Sequence, residues 1–387
     1  MDKDQSKIKI AFFSTTRAEF GLLRPLILKA QQDSIFKTFF FVGGSHLVKE
    51  YGGTITEIKS SNIKINTTFN FYSNGDKAND LVASVAKETR QLNKLFKKYD
   101  FDNVIVLGDR YELIPIILTS ILYSKFIVHI GGGEKTIGAI DNQIRNMISK
   151  SAHLHFTISD YYKKQLIKLD EDKNKIFNVG SMSIESILNI KRQKRSQIYK
   201  KYRLRNDLPI AIMTYHPTTL ENTIDIKMQI KNIFNSLKKF NVSVIITAPN
   251  FEKGSSIIKK IIKTNVKNSN NFLYYESLGF ENYHQLLKYS SFVIGNSSSG
   301  IVEVPFYNIP TVNIGIRQKS RLRHSSVIDC GHHEKEIIKS IKKALSKNFT
   351  KKIANNKYKF GKGDASKKTL NILKKILQKK NTNKLIK

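Results

Sequence analysis

Short apolar runs alternate along the chain with longer stretches whose apolar positions recur every third or fourth residue. The runs Ile8–Ser14 (IKIAFFS), Lys37–Gly44 (KTFFFVGG), Asn103–Asp109 (NVIVLGD) and Lys125–Gly132 (KFIVHIGG) read as strands buried on both faces. Asp80–Tyr99 has the spacing of an amphipathic helix. Strands without polar alternation, separated by helices, predict a parallel sheet covered on both sides. The alternation pauses over Ile190–Pro209, which is polar, basic and poor in strand signal. It resumes with PIAIMTYHP, VSVIITAPN, NFLYYES, SFVIGNSSS and PTVNIG. The pattern predicts an α/β protein of two Rossmann-like lobes, residues 1–189 and 190–387, with a cleft between them. In open parallel sheets ligands collect beyond the carboxyl ends of the strands. The unusual segments of this chain each follow a predicted strand.

A length of 387 residues suits two cores better than one. No apolar run reaches the roughly 18 residues of a spanning helix, so no integral membrane segment is predicted. The first residues read as an initial strand and not as a signal peptide. A single cysteine, Cys330, excludes an internal disulfide framework and a cysteine-built metal site, and points to the cytoplasm. The formal net charge of +35 raises nucleic acid, anionic membrane and acidic ligands as partners. However, the lysines are spread over nearly every segment with no compact basic motif or aromatic-basic patch, so no nucleic-acid partner is predicted. The exception is the end of the chain, where Asp364 is the only acid between Ser346 and Lys387. There Leu370, Ile372, Leu373, Ile376 and Leu377 form one helical stripe opposite lysines. Such a helix either lies on an anionic membrane or packs back onto the protein; the lack of an aromatic anchor favours packing.

The chemistry-bearing segments come next. STTRAEFG follows the first strand, with Thr15 or Thr16 as helix cap and Arg17 beside an N-terminus suited to an anion. GDRYE places Asp109 and Arg110 at a strand end, where Asp109 serves either as a functional carboxylate or as a cap. GGGEKTIGAIDNQIR sets Glu134 and Asp141 around a glycine-dense turn that allows close backbone approach. Asp141 and Arg145, four apart, share a helix face and so also form a candidate ion pair. His153 and His155 lie on one side of a short strand, as core residues more than as metal ligands. His216 ends another strand, either to hold a diphosphate or to shuttle a proton, and Asn250 repeats the placement. GNSSSGIVEVP offers Ser297 and Ser298 as a phosphate cradle, with Glu303 placed to accept ribose hydroxyls. Arg317, Arg321 and Arg323 follow a further strand.

Taken in order, TTRAEFG, GDRYE, HIGGGEKT, AHLHF, HPTTL and GNSSSGIVEVP resemble the hydrolysing UDP-N-acetylglucosamine 2-epimerases of bacterial sialic-acid pathways, over most of the chain. The resemblance implies a GT-B-like fold whose C-terminal helix returns to the N-terminal lobe. It implies a UDP-sugar substrate, no metal or redox cofactor, and a homo-oligomer, dimer or tetramer. By that resemblance Arg17, Arg110, His216, Asn250, Ser297, Ser298, Glu303 and Arg317 hold UDP, with Ser277 as a uridine-side candidate. Asp109, Glu134 and Asp141 are then the carboxylates near the sugar, with Arg145 beside them. Many relatives carry an acid directly after the HI dipeptide; Gly131 stands there in this chain, and the burden moves to Glu134. The same resemblance admits UDP-2,4-diacetamido-2,4,6-trideoxyglucose as substrate, or a glycosyltransferase.

Overall fold

The computed structural model describes residues 7–49, 53–73, 75, 77–137, 140–218, 225–250, 252–355 and 357–382. Seven strands form the first sheet: β1 (Ile8–Ser14), β2 (Phe36–Gly43), β3 (Thr67–Phe69), β4 (Asn103–Leu107), β5 (Phe126–Ile130), β6 (Leu154–Thr157) and β7 (Ile176–Asn178). Their spatial order is β3-β2-β1-β4-β5-β6-β7, and every pairing is parallel. Ala11 of β1 stands opposite Phe39 of β2 on one side and Val104 of β4 on the other. Because side chains alternate across a strand, Ile8, Ile10 and Phe12 enter one core with the helix Arg17–Gln32. Ala11 and Phe13 enter the opposite core with the helices Ala78–Lys98 and Leu113–Leu122. Both faces are covered, which is why the run is apolar from Ile10 to Phe13, with Lys9 near its start reaching Asp100.

The second sheet comprises β8 (Ile210–Thr214), β9 (Ser243–Thr247), β10 (Phe272–Tyr275), β11 (Phe292–Gly295), β12 (Thr311–Ile314) and β13 (Val327–Cys330). Its order, β10-β9-β8-β11-β12-β13, is also parallel throughout. In each sheet the strand order reverses once, between β1 and β4 and between β8 and β11. Those reversals open the crevices in which ligands bind.

The sequence pattern overran one strand end by a residue, at Gly44, and two by two residues, expecting Asp109 and Gly132 where the strands stop at Leu107 and Ile130. Gly108 (φ +97°) and Gly131 (φ +88°) turn the chain out of the ladder there, a conformation that suits glycine. β3, β7 and β13 had not been foreseen; each is a sheet-edge strand of three or four residues, too short to carry a periodic signal.

The C-terminal helix Ala365–Thr382 packs against the helices Arg17–Gln32 and Met182–Leu188 and against β1. Leu370, Leu373 and Leu377 are buried in the first lobe's core, with Ile372 and Ile376 partly buried beside them. Its start is tied down by Glu185, which accepts from the Ser366 amide at 2.8 Å and the Ser366 hydroxyl at 2.5 Å. The apolar stripe is therefore spent inside the protein. Among the described residues no helix is long and apolar enough to cross a membrane.

Candidate active site

A cleft of about 300 Å³ separates the two sheets' carboxyl ends. From the first lobe it is lined by Asp109 and Arg110 after β4, Glu134 after β5, and Asp141 and Arg145 on the first turns of the helix Asp141–Ser151. The second lobe contributes His216 after β8, Asn250 after β9, Ser277 after β10, Ser297, Ser298 and Glu303 after β11, and Arg317 and Arg321 after β12. All the residues that the resemblance assigns to UDP or the sugar meet in this one cleft except Arg17; Arg323 instead pairs with Asp329. The Arg17 backbone opens the helix Arg17–Gln32, but its side chain lies outside the described residues.

The glycine-dense turn is shaped by contact as well as by backbone torsion. Gly133 has φ +80°, and a Cβ there would stand 2.3 Å from the Tyr162 carbonyl oxygen. The turn can thus press onto the helix Asp160–Ile167 and present Glu134 to the cleft. The helix pairing expected between Asp141 and Arg145 is not what forms. Arg145 pairs with Asp109 and donates to the Glu134 carbonyl oxygen at 2.7 Å. Asp141 instead reaches across the cleft to Arg317, with Oδ2 3.3 Å from Nη2. Glu134 pairs with Arg321, also across the cleft. Each of the three carboxylates thus faces an arginine, and two of the three pairs join the lobes.

These pairings separate the carboxylates electrostatically. Burial alone would raise Asp109, but Arg145, Arg321, Arg110 and Arg317 together outweigh it and hold its carboxyl below the usual range. Asp141 is pushed up to about 6 by burial, with Asp109 and Glu252 adding their negative charge against Arg317 and Arg110. One carboxyl is thus kept ionised while its neighbour holds a proton to higher pH, a division suited to acid–base work.

On the second-lobe wall, Asn296 clamps His216. Its Oδ1 accepts from the His216 amide at 2.7 Å and its Nδ2 donates to the His216 carbonyl at 2.8 Å. The His216 ring accepts at Nδ1 from the Asn250 amide, 3.0 Å away, so Nε2 carries the ring proton. Gly295 has φ +137°, and a Cβ there would collide with the Thr214 carbonyl oxygen at 1.9 Å, so only glycine lets β11 turn into the serine loop. Ser299 donates to Glu303 at 2.8 Å. Burial pushes Glu303 up to about 7, and the Ser299 hydrogen bond only partly offsets it. His284 Nε2 lies 3.5 Å from Glu303, but burial drives that imidazole down to about 3, so it is neutral and the contact is no ion pair.

Several residues that contact the site had no role assigned from sequence. Asn296, which holds His216, is one; Glu252, which pairs with Arg110, is another, and its only sequence signal is an acid in the loop after a strand. Arg321 was visible only as one of three arginines. Glu19 accepts from the Thr15 and Thr16 amides at 2.7 and 3.1 Å. Thr16 is thus the helix cap, and Glu19 closes a capping box with it. His153 and His155 sit away from the cleft: His153 Nδ1 accepts from the Ile127 amide at 3.1 Å, and His155 Nε2 lies 3.1 Å from Glu171. Among the described residues no cluster of His, Cys, Asp and Glu is arranged to hold a metal ion.

The chain is similar to known proteins in sequence and in fold. The family model for UDP-N-acetylglucosamine 2-epimerase matches residues 28–374. The GDP/UDP-N,N'-diacetylbacillosamine 2-epimerase (hydrolyzing) of Campylobacter jejuni is 36% identical over 326 residues, covering 84% of each chain. Polysialic acid biosynthesis protein P7 of Escherichia coli is 31% identical over 377 residues, covering 96% of this chain and 95% of that one. The two-lobed fold is shared with UDP-GlcNAc 2-epimerase of Neisseria meningitidis, solved bound to UDP-GlcNAc. That structure matches with a TM-score of 0.82 at 18% identity, covering 95% of this chain and all of that one (100%).

Proposed function

The chain belongs to the UDP-N-acetylglucosamine 2-epimerase family, and from that premise we propose that it is a hydrolysing enzyme of UDP-N-acetylglucosamine. In this reading it releases UDP and N-acetylmannosamine, which feeds the building of a sialic-type acid. The observation that carries the reading is the convergence of Asp109, Glu134 and Asp141, each on an arginine, opposite a serine-lined wall in one cleft. While C1 is neutral, the hydrogen on C2 is not acidic. As the bond from C1 to the UDP oxygen breaks, positive charge grows at C1 and the ring oxygen, and that hydrogen becomes removable. A carboxylate takes it as UDP leaves, giving a glycal. Water then adds at C1 while a proton returns to the opposite face of C2.

Asp109, kept ionised by its arginines, suits the base, and Asp141, raised to about 6, suits the proton donor. Glu134 on Arg321 completes the carboxylate wall. Arg110 and Arg317, with Arg17 and the serines Ser297 and Ser298, hold the diphosphate and make it a better leaving group. His216 and Asn250 stand on the same wall, Ser277 lies toward the uracil, and Glu303 takes the ribose hydroxyls. No redox cofactor enters the route. A second reading, supported by the name of the 36% identical relative, keeps the chemistry but takes a UDP-2,4-diacetamido-2,4,6-trideoxy sugar. Incubation with a panel of UDP-sugars, followed by proton NMR of the products, decides between them. Release of UDP with retained C2 configuration, or sugar transfer to an acceptor, would overturn both.

The ribose role of Glu303 makes a pH prediction. Only the carboxylate accepts two hydroxyls, and the group is protonated below about 7 in the free protein. Uridine affinity is therefore full above that pH and falls as pH drops through it, by up to about tenfold per unit. Uridine is the probe because it has no phosphate to titrate. Glu303→Gln flattens the profile; calorimetry showing an unchanged slope in that variant would remove Glu303 from the ribose.

The expected homo-oligomer has a candidate face. Leu118, Ile121 and Leu122 on the helix Leu113–Leu122 are 48%, 49% and 75% exposed, with Ile114 on the same stripe. That helix carries no charge, so two copies of a chain of net charge +35 repel least there. Light scattering should read a multiple of the 44.4 kDa chain mass for the wild type and the single mass for Leu122→Glu. Equal masses for the two proteins would place the interface elsewhere or nowhere. The free Cys330 fits a reducing compartment and so a cytoplasmic enzyme.

A further inference from the structure

Four buried charges close a ring across the cleft. Arg110 Nη1 lies 2.6 Å from Glu252 Oε1, and the same oxygen is 3.7 Å from Arg317 Nη2. Arg317 Nη2 is 3.3 Å from Asp141 Oδ2, and Asp141 Oδ1 is 4.0 Å from Arg110 Nη1. Arg110 and Asp141 come from the first lobe, Glu252 and Arg317 from the second, and the signs alternate around the ring. All four are buried, with Glu252 only 6% exposed. Two guanidinium groups brought together out of water repel, and a buried charge without a partner is costly. Something negative must hold them before any substrate arrives.

Within the ring, burial and neighbouring acids push Asp141 up to about 6. It also makes the longer contacts with Arg110 and Arg317 taken together. Glu252 makes the shortest contact of the ring and is the member that neither the resemblance nor the reaction assigns. A phosphate of the substrate presents the same chemistry as this carboxylate: anionic oxygens that accept from guanidinium N–H groups. Carboxylate and diphosphate cannot both sit within hydrogen-bond distance of one Arg110 nitrogen without strong mutual repulsion.

We propose that Glu252 is a positioning residue: its carboxylate holds Arg110 and Arg317 in the diphosphate's place and yields them when the nucleotide binds. The assignment rests on the UDP-sugar reading above. Together with Glu112, whose carboxylate lies 3.4 Å from Arg110 Nε, Glu252 keeps arginines from opposite lobes preformed until substrate binds. It also supplies an anion that retakes them as UDP departs. Glu252 therefore competes with every phosphate-bearing ligand and leaves the uridine contacts untouched.

Calorimetry with UDP, inorganic pyrophosphate and uridine on wild type, Glu252→Gln and Glu252→Asp tests this. Glu252→Gln keeps the shape and loses the charge, so UDP and pyrophosphate should bind about tenfold tighter, in line with a lost charged hydrogen bond. Uridine affinity should not change. Glu252→Asp keeps the charge and should stay within a few-fold of wild type for all three ligands. A residue that merely braces the fold would weaken UDP, or move UDP and uridine together. UDP bound no tighter by Glu252→Gln than by wild type, or a matching change in uridine, would sink the assignment alone. Absence of any UDP binding by the wild type would sink the functional reading and this assignment with it.

Discussion

Asp109→Asn, Glu134→Gln and Asp141→Asn should each lower turnover by at least about a hundredfold while the protein stays folded, the effect of removing a positioned acid or base. The substitutions keep the side-chain shape and remove the charge, so what they test is proton transfer and charge placement. The losses should differ in kind. Asp109→Asn removes the carboxyl that four arginines keep ionised. Asp141→Asn removes the one that burial and neighbouring acids leave protonated to about pH 6. The same reaction run in heavy water should place one deuterium at C2 of the product, because the proton taken from C2 exchanges before another returns. UDP affinity separates chemistry from binding: Glu134→Gln should leave it nearly unchanged, since Glu134 pairs with Arg321 and not with Arg110 or Arg317. Near wild-type rates in all three variants, or retention of the original hydrogen at C2, would remove the elimination route.

How much of this could be read from sequence follows from how far each signal extends along the chain. β1 was placed at Ile8–Ser14 from its largely apolar run, because both faces of a central parallel strand are covered. The edge strands β3, β7 and β13 escaped, since three or four half-covered residues carry no period. In the site, residues within named motifs were found because glycines, histidines and serines at strand ends stand out locally. Their pairing was not legible. Spacing put Asp141 beside Arg145, yet Asp141 faces Arg317, 176 residues away, and Arg145 faces Asp109. Helical neighbours share a face, but which partner a buried charge takes depends on what the opposite lobe brings. Glu252 was missed for the same reason: an acid past a strand end is ordinary until Arg110, 142 residues away, is found on it.

Removing everything after Phe360 should lower the melting temperature by about 10 °C or more, and this is the largest stability effect expected of any single change. The segment contributes Leu370, Leu373 and Leu377, all buried in the first lobe's core. Burying three leucine side chains is worth roughly 5–9 kcal/mol before the cost of ordering the helix. That is comparable to the whole stability of many domains. The truncation also strands Glu185, a carboxylate that is 3% exposed and holds the Ser366 amide and hydroxyl. The partner left to it is Lys29. A subtler variant isolates the packing: Leu373→Ala keeps the chain length and the lysine-rich outer face, and should cost about 2–5 kcal/mol. The lysines opposite the stripe make the competing view testable in the same samples. If the helix served an anionic membrane, its loss would abolish binding to anionic vesicles without moving the melting temperature. That outcome would mean the stripe is not held against β1 and the helix Arg17–Gln32 in solution. A large fall in melting temperature in both variants means the second half of the chain closes the first lobe's core. The first lobe cannot then complete its fold until the last helix has been made.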